Sequence, residues 1–151
     1  MPRTLVELKA EIPFDKWKLD DEVVKQAQLY DEAGDGWAEA VSKRDQAKQV
    51  LEQLEAELAH AFRNESMEKI TEARVTEHVA RHPDYVQQYR LYLNYKRESD
   101  EWLVLKEAFA QRCTMIREEV NLHTTGYWGS GVDSGMIESY KSKYRNRNNE
   151  E

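Results

Sequence analysis

Apolar residues in the first half of this chain recur at alternating steps of three and four, from residue 30 to residue 61. This spacing places one apolar stripe on a single side of an α-helix, so the helix must pack lengthwise against another helix. The stripe consists of Tyr30, Ala33, Trp37, Ala40, Arg44, Ala47, Leu51, Leu54, Leu58 and Ala61. Arg44 is its charged member, and its aliphatic stem can lie along apolar surface while the guanidinium stays in water.

The rest of the helical pattern predicts a partner for that helix. We expect a short helix at 4–12, a long helix at 21–63, a loop at 64–70, a connector helix at 72–81 and a second long helix at 84–121. Gly34 and Gly36 fall inside the first long helix, but the stripe keeps its register across them, so one continuous helix is predicted. The fold class is therefore all-α, a long coiled-coil-like antiparallel hairpin with short N-terminal and connector helices.

The apolar face of the second long helix completes the predicted core. It is formed by Leu91, Tyr95, Trp102, Leu105, Phe109, Cys113, Ile116 and Val120. We expect the two arms to bury Leu54, Leu58, Leu105, Phe109 and Ile116 against one another. Trp37, Tyr95 and Trp102 would stay partly exposed in a single hairpin, and exposed apolar patches mark interfaces. These three residues are the predicted contacts of a homo-oligomer.

The composition changes sharply after the second long helix. Residues 124–135 contain four of the six glycines, and the pattern there is not helical. We therefore divide the chain into a helical hairpin oligomerisation domain, 1–123, and a flexible glycine-rich linker with a basic tail, 124–151.

The overall charge limits the ways in which this chain can bind nucleic acid. The formal net charge is −7, so phosphate contacts require a local cluster of cations. The single cysteine, Cys113, fits a reducing compartment. No apolar run approaches the roughly 20 residues of a membrane-spanning helix, and we expect a cytoplasmic protein with no membrane contact.

Two histidine patterns resemble metal sites but lack required parts. Glu57 and His60 have the spacing of a di-iron motif, which needs a second copy and two further glutamates. His78 and His82 have zinc-chelating spacing, but Val79 stands where the catalytic motif needs glutamate. A capping role for His82 beside Pro83 is simpler. We expect no metal, no cofactor, no catalytic residue and no enzymatic activity.

The tail segment 140–147 carries the most distinctive chemistry. It contains Lys141, Lys143, Arg145 and Arg147, two tyrosines, Tyr140 and Tyr144, and no acidic residue. Cations contact phosphates and aromatic rings stack on unpaired bases, so this pattern is typical of single-stranded nucleic-acid binding. The alternatives are a solubilising end without contacts and a short peptide that docks on a partner protein.

The chain resembles the UvsY-type recombination mediators of tailed bacteriophages over about residues 5–122. The similarity runs through 5–8, 12–19, 37–40, Ala47-Lys48 and 51–57. It is most specific in the second half of the hairpin, at 71–75, Val79, 83–85, 108–112 and 115–116.

The resemblance implies a non-enzymatic protein that binds single-stranded DNA and helps to load a recombinase in place of a single-strand-binding protein. It also implies ring-like oligomers assembled through the long helices.

In this family, basic residues near the end of the first long helix contact DNA. The matching residues here are 60–63, where Arg63 is the firm cation and acidic residues lie nearby. We therefore predict DNA contacts by Arg63 together with the basic tail. The alternative function is a viral helical protein–protein adaptor or structural coiled-coil protein without DNA binding.

Overall fold

The computed structural model describes residues 3–65 and 70–127, which form four α-helices joined by turns. Helix α1 spans Leu5–Lys9, α2 spans Leu19–Glu65, α3 spans Glu72–Arg81 and α4 spans Pro83–Thr124. The long helices α2 and α4 pack against each other along their length. They run antiparallel, because Gln26 contacts Phe109 whereas Gly36, further along α2, lies against Trp102. The predicted all-α hairpin is confirmed.

Local signals explain where the helices begin and end. Helix α1 begins with a capping box between Thr4 and Glu7 and ends at Lys9, earlier than predicted. Helix α3 has the predicted bounds. Pro83 occupies the first turn of α4, and the His82 ring accepts a hydrogen bond from the Asp84 amide at 3.3 Å. The capping role predicted for His82 is thus confirmed. Pro83 follows it as the first residue of α4, a position that proline favours.

Helix α2 continues through both of its glycines, as predicted, but the two positions differ in their surroundings. A Cβ atom built on Gly36 would lie 2.3–2.6 Å from ring carbons of Trp102. A Cβ atom built on Gly34 would meet nothing within 4 Å. The Trp102 indole of α4 therefore packs directly against the backbone of α2 at Gly36.

We expect opposite effects from alanine at these two glycines. Gly34→Ala should raise the free energy of unfolding by about 0.5–1 kcal/mol, because alanine restricts the unfolded chain and favours helix. Gly36→Ala should lower it by about 1–3 kcal/mol, because the indole must move out of a packed position. Urea unfolding of the two variants measures both effects, and shifts of the same sign and size would contradict this packing.

A buried core cluster lies in the half of the hairpin that holds the start of α2 and the second half of α4. Leu8, Leu29, Ala33, Leu105 and Phe109 form this cluster. Partly buried Leu5, Ile12 and Trp102 pack against this cluster. Helix α1 is therefore part of the core, because it supplies both Leu5 and Leu8.

The prediction that Leu54 and Leu58 join Leu105 and Phe109 in one core is wrong. Both leucines are only half-buried and lie further along α2, away from the cluster. Ile116 is buried at 3% exposure, as expected. Within the predicted stripe, Ala33, Ala40, Ala47 and Leu51 are buried, whereas Tyr30 and Ala61 are exposed.

In the part of the chain that the structure describes, none of the helices combines the length and apolar character needed to cross a membrane. The segment 128–151, which includes the predicted basic tail and most of the glycine-rich linker, lies outside the described residues.

Candidate nucleic-acid interface

Arg63 lies in the last turn of α2, at the end of the hairpin that faces α3. Its guanidinium donates a hydrogen bond to the Glu72 carboxylate at 2.8 Å. The side chains of Arg63 and Glu72 are 48% and 78% exposed. Exposed ion pairs contribute only about 0–1 kcal/mol, so Arg63 can exchange Glu72 for a phosphate group at little cost. Among the predicted DNA-binding residues, it is the one that the described part of the chain contains.

The start of the tail lies at the opposite end of the hairpin from Arg63. Helix α4 has 42 residues and is about 63 Å long, and Tyr127 follows its last turn. The other six predicted DNA-binding residues, Tyr140, Lys141, Lys143, Tyr144, Arg145 and Arg147, fall outside the described residues.

Aromatic contacts hold α3 against the end of α2. The rings of Phe62 and His78 stack with centroids 4.0 Å apart and planes 7° apart. The His78 and His82 rings are 6.3 Å apart and tilted. Val75 and Val79 form the buried face of α3. The two histidines thus have packing and capping contacts, and no group of three potential metal ligands exists among the described residues.

The three residues predicted at an oligomer interface are all half-buried within one chain. Trp102 packs beside Gly36 and the core cluster. The Lys106 ammonium lies 4.3 Å from the ring centroid of Trp37, a cation–π contact. Tyr95 lies on α4 near Lys43 of α2, and the pKa of that lysine is raised chiefly by its hydrogen bond to Glu39. Their role between copies stays a prediction.

A buried polar network that the sequence did not predict joins α2, α4 and the N-terminal segment. The Arg112 side chain is 2% exposed and forms an ion pair with Glu22. Its guanidinium also donates to the Gln26 side-chain oxygen at 2.6 Å and to the Ile12 carbonyl at 3.0 Å. Gln26 in turn donates to the Phe109 carbonyl at 2.7 Å. The signal in the sequence was the position of Arg112, a charged residue that falls on the apolar stripe of α4 between Phe109 and Ile116.

A row of tyrosines on α4 also went unpredicted. Tyr85, Tyr89 and Tyr92 follow one another at steps of four and three residues, which places them along one side of the helix. Burial, more than the Glu55 charge, raises the pKa of Tyr85. The sequence signal was the helical spacing of tyrosines in a stretch that also contains several cations.

An apolar groove of 690 Å³ lies between the first half of α2 and the last half of α4. Its walls include Val23, Ala27, Cys113, Ile116, Arg117 and Val120. Cys113 is thus a half-buried part of this wall. The groove lies far from Arg63 along the hairpin.

Comparison with protein-family models, with curated proteins and with solved structures gives no match for this chain.

Proposed function

We propose that this chain is a non-enzymatic recombination mediator that binds single-stranded DNA and assists recombinase loading. The observation that carries the proposal is the composition of residues 140–147, where four cations and two tyrosines occur without an acidic residue. The resemblance over residues 5–122 supports the mediator role. A recombinase and a single-strand-binding protein would be its partners, in the cytoplasm of the host cell.

The charge distribution supports a local DNA contact. The whole chain has a net charge of −7, which repels the DNA backbone from most of its surface. The four cations of the tail concentrate positive charge in one short segment, as phosphate contacts require. At the other end of the hairpin, Arg63 is exposed and held only by a surface ion pair.

Assembly of several copies would bring these two elements together. Because Arg63 and the start of the tail lie at opposite ends of α4, a strand that contacts both is bound most simply by two neighbouring copies. The proposal therefore includes a homo-oligomer that joins through the long helices, with Trp37, Tyr95 and Trp102 at the contact. This expectation predicts a particle heavier than the 17.8 kDa chain in light scattering.

Removal of everything after Gly135 should weaken single-strand binding and flatten its salt dependence. Four lost phosphate contacts should reduce the slope of log affinity against log salt by about 3, at about 0.7 per contact. Fluorescence anisotropy of a labelled oligothymidine, read at several salt concentrations, measures both quantities. A full-length variant with glutamine at Lys141, Lys143, Arg145 and Arg147 separates charge from chain length.

Circular dichroism supplies the control, because both variants should keep the helix content of the intact chain. Unchanged affinity and slope in both variants would exclude the tail as the DNA site.

The second candidate is a protein–protein adaptor, and the apolar groove favours it. Its walls suit the apolar face of a helix from a partner protein. If the intact chain shows no affinity for single-stranded DNA at any of these salt concentrations, the adaptor is favoured over the mediator.

A further inference from the structure

The stretch from the last residue of α3 into the first half of α4 is basic and rich in tyrosine. Residues 81–97 contain Arg81, Arg90, Lys96 and Arg97 against a single acid, Asp84. The same stretch holds four of the eight tyrosines. This is the composition that also distinguishes the tail, but here it lies on a helix whose geometry is described.

The tyrosine rings form a continuous row. The ring centroids of Tyr85 and Tyr89 are 6.1 Å apart, and their planes differ by only 10°. The Tyr89 and Tyr92 centroids are 6.3 Å apart, with planes at 43°. Tyr85 and Tyr92 are half-buried, which holds their rings in place, whereas Tyr89 is 43% exposed. Tyr89 is therefore the ring that a planar group from solvent can reach most easily.

Cations stand beside this row. Lys96 follows Tyr92 by four residues on the same side of α4, and Arg90 and Arg97 lie on the adjoining side. Arg90 and Lys96 are exposed, and neither side chain forms an ion pair with another described residue. Arg97 is 82% exposed and pairs with Glu101 at 2.9 Å. All three side chains can therefore bind a phosphate group without breaking a buried interaction.

Acidic groups define the direction in which a strand would run. Glu55 of α2 lies near Tyr85, Asp84 precedes the row on α4, and the acidic residues Glu98, Asp100 and Glu101 follow it. Phosphates would avoid the Glu55 side and follow Arg90 and Arg97, which leaves the bases to turn towards the rings. Tyr85 also lies at the same end of the hairpin as Arg63, about 12 Å along α2 from it, since Glu55 precedes Arg63 by eight residues.

We infer that Tyr85, Tyr89 and Tyr92, flanked by Arg90, Lys96 and Arg97, form a stacking platform for single-stranded DNA. The inference rests on the proposed function and gives Arg63 a base-binding surface at its own end of the hairpin. Stacking on aromatic rings tolerates any base, because every base has a π-face. The platform therefore binds single strands without sequence preference and excludes duplexes, whose bases are already stacked.

Tyr89→Ala in the full-length chain tests the platform. Binding of labelled oligothymidine should weaken by about 5- to 150-fold, the range that corresponds to one lost base stack. Tyr89→Phe should bind like the intact chain, because phenylalanine keeps the ring. Tyr30→Ala is the matched control, since Tyr30 is equally exposed, at 42%, but lies on α2 far from the platform.

A second variant tests the cations independently. Arg90→Ala should reduce the salt slope by about 0.7, whereas Tyr89→Ala should leave the slope unchanged. Circular dichroism and sedimentation must show native helix content and assembly in each variant.

The outcomes separate the inference from the proposed function. In the first outcome, the intact chain binds oligothymidine, Tyr89→Ala and Tyr30→Ala bind it with the affinity of the intact chain, and Arg90→Ala keeps the full salt slope. The platform is then wrong, and the tail remains the DNA site. If Tyr89→Ala changes the assembly state and leaves the affinity unchanged, the row is a protein contact and the platform is equally excluded. If the intact chain does not bind at all, the proposed function and the platform both fail.

Discussion

Replacement of Arg112 with methionine is expected to lower the free energy of unfolding by about 3–5 kcal/mol. The Arg112 guanidinium is the common partner of Glu22, Gln26 and the Ile12 carbonyl inside the hairpin. Without it, the Glu22 carboxylate, whose side chain is only 12% exposed, stays in the interior without its counter-charge. An isolated buried charge is strongly unfavourable, because little water remains to solvate it.

Arg117→Met is the matched control for this prediction. Arg117 is also an arginine of α4, five residues further along, but it is exposed. Its replacement should change stability by no more than about 0.5 kcal/mol. Urea unfolding gives the midpoint concentration of each variant, and the midpoints report stability directly when the dependence of the free energy on urea is the same. The double variant Glu22→Met with Arg112→Met should recover part of the loss, since it removes the unpaired charge. Equal midpoints for Arg112→Met and Arg117→Met would show that the network is not buried.

Phe109→Ala is expected to lower the free energy of unfolding by about 3–5 kcal/mol. Phe109 is fully buried at 0% exposure and contributes to the core cluster with Leu8, Leu29, Ala33 and Leu105. Its removal leaves a cavity between helices that the surrounding side chains can fill only in part. Thermal and urea unfolding both measure the effect.

Leu58→Ala provides the comparison within the other half of the hairpin. Leu58 is half-buried and lies outside the cluster, so its truncation should lower stability by only about 1 kcal/mol. A larger loss for Leu58→Ala than for Phe109→Ala would mean that the two long helices pack in a different register.

Periodicity predicted the helices well because their ends carry local signals. The connector helix has the bounds expected from the sequence, and α4 begins at Pro83. Helix α2 keeps one axis through Gly34 and Gly36 because its apolar stripe continues on both sides of them. Each of these features depends on residues that are close together in the chain.

The register between the long helices did not follow from the sequence. A repeating stripe offers a similar apolar surface at every turn, so several alignments of α2 and α4 look equally favourable. The actual alignment places Phe109 beside Gln26 instead of near Leu58. The contribution of α1 to the core was equally hidden, because it depends on contacts between distant residues.

The candidate site was predicted only where its chemistry was concentrated in the sequence. Arg63 and the tail residues stood out as cations, but the antiparallel geometry that places Arg63 far from the start of the tail required the fold. The tyrosine row of α4 was not predicted, because residues three and four apart become neighbours only when the chain is helical. Arg112 was similarly ambiguous, since a charge on an apolar stripe can either reach solvent or pair inside the core.

A salt titration of the intact chain measures the proposed binding of single-stranded DNA through its cations. The affinity for a labelled oligothymidine should fall with salt along a log–log slope of at least about 3 in magnitude, as four tail cations and Arg63 require. A duplex of equal length should bind more weakly, because its bases cannot stack on tyrosine rings. Absence of single-strand binding at low salt, or an affinity that does not change with salt, would exclude DNA binding through these cations.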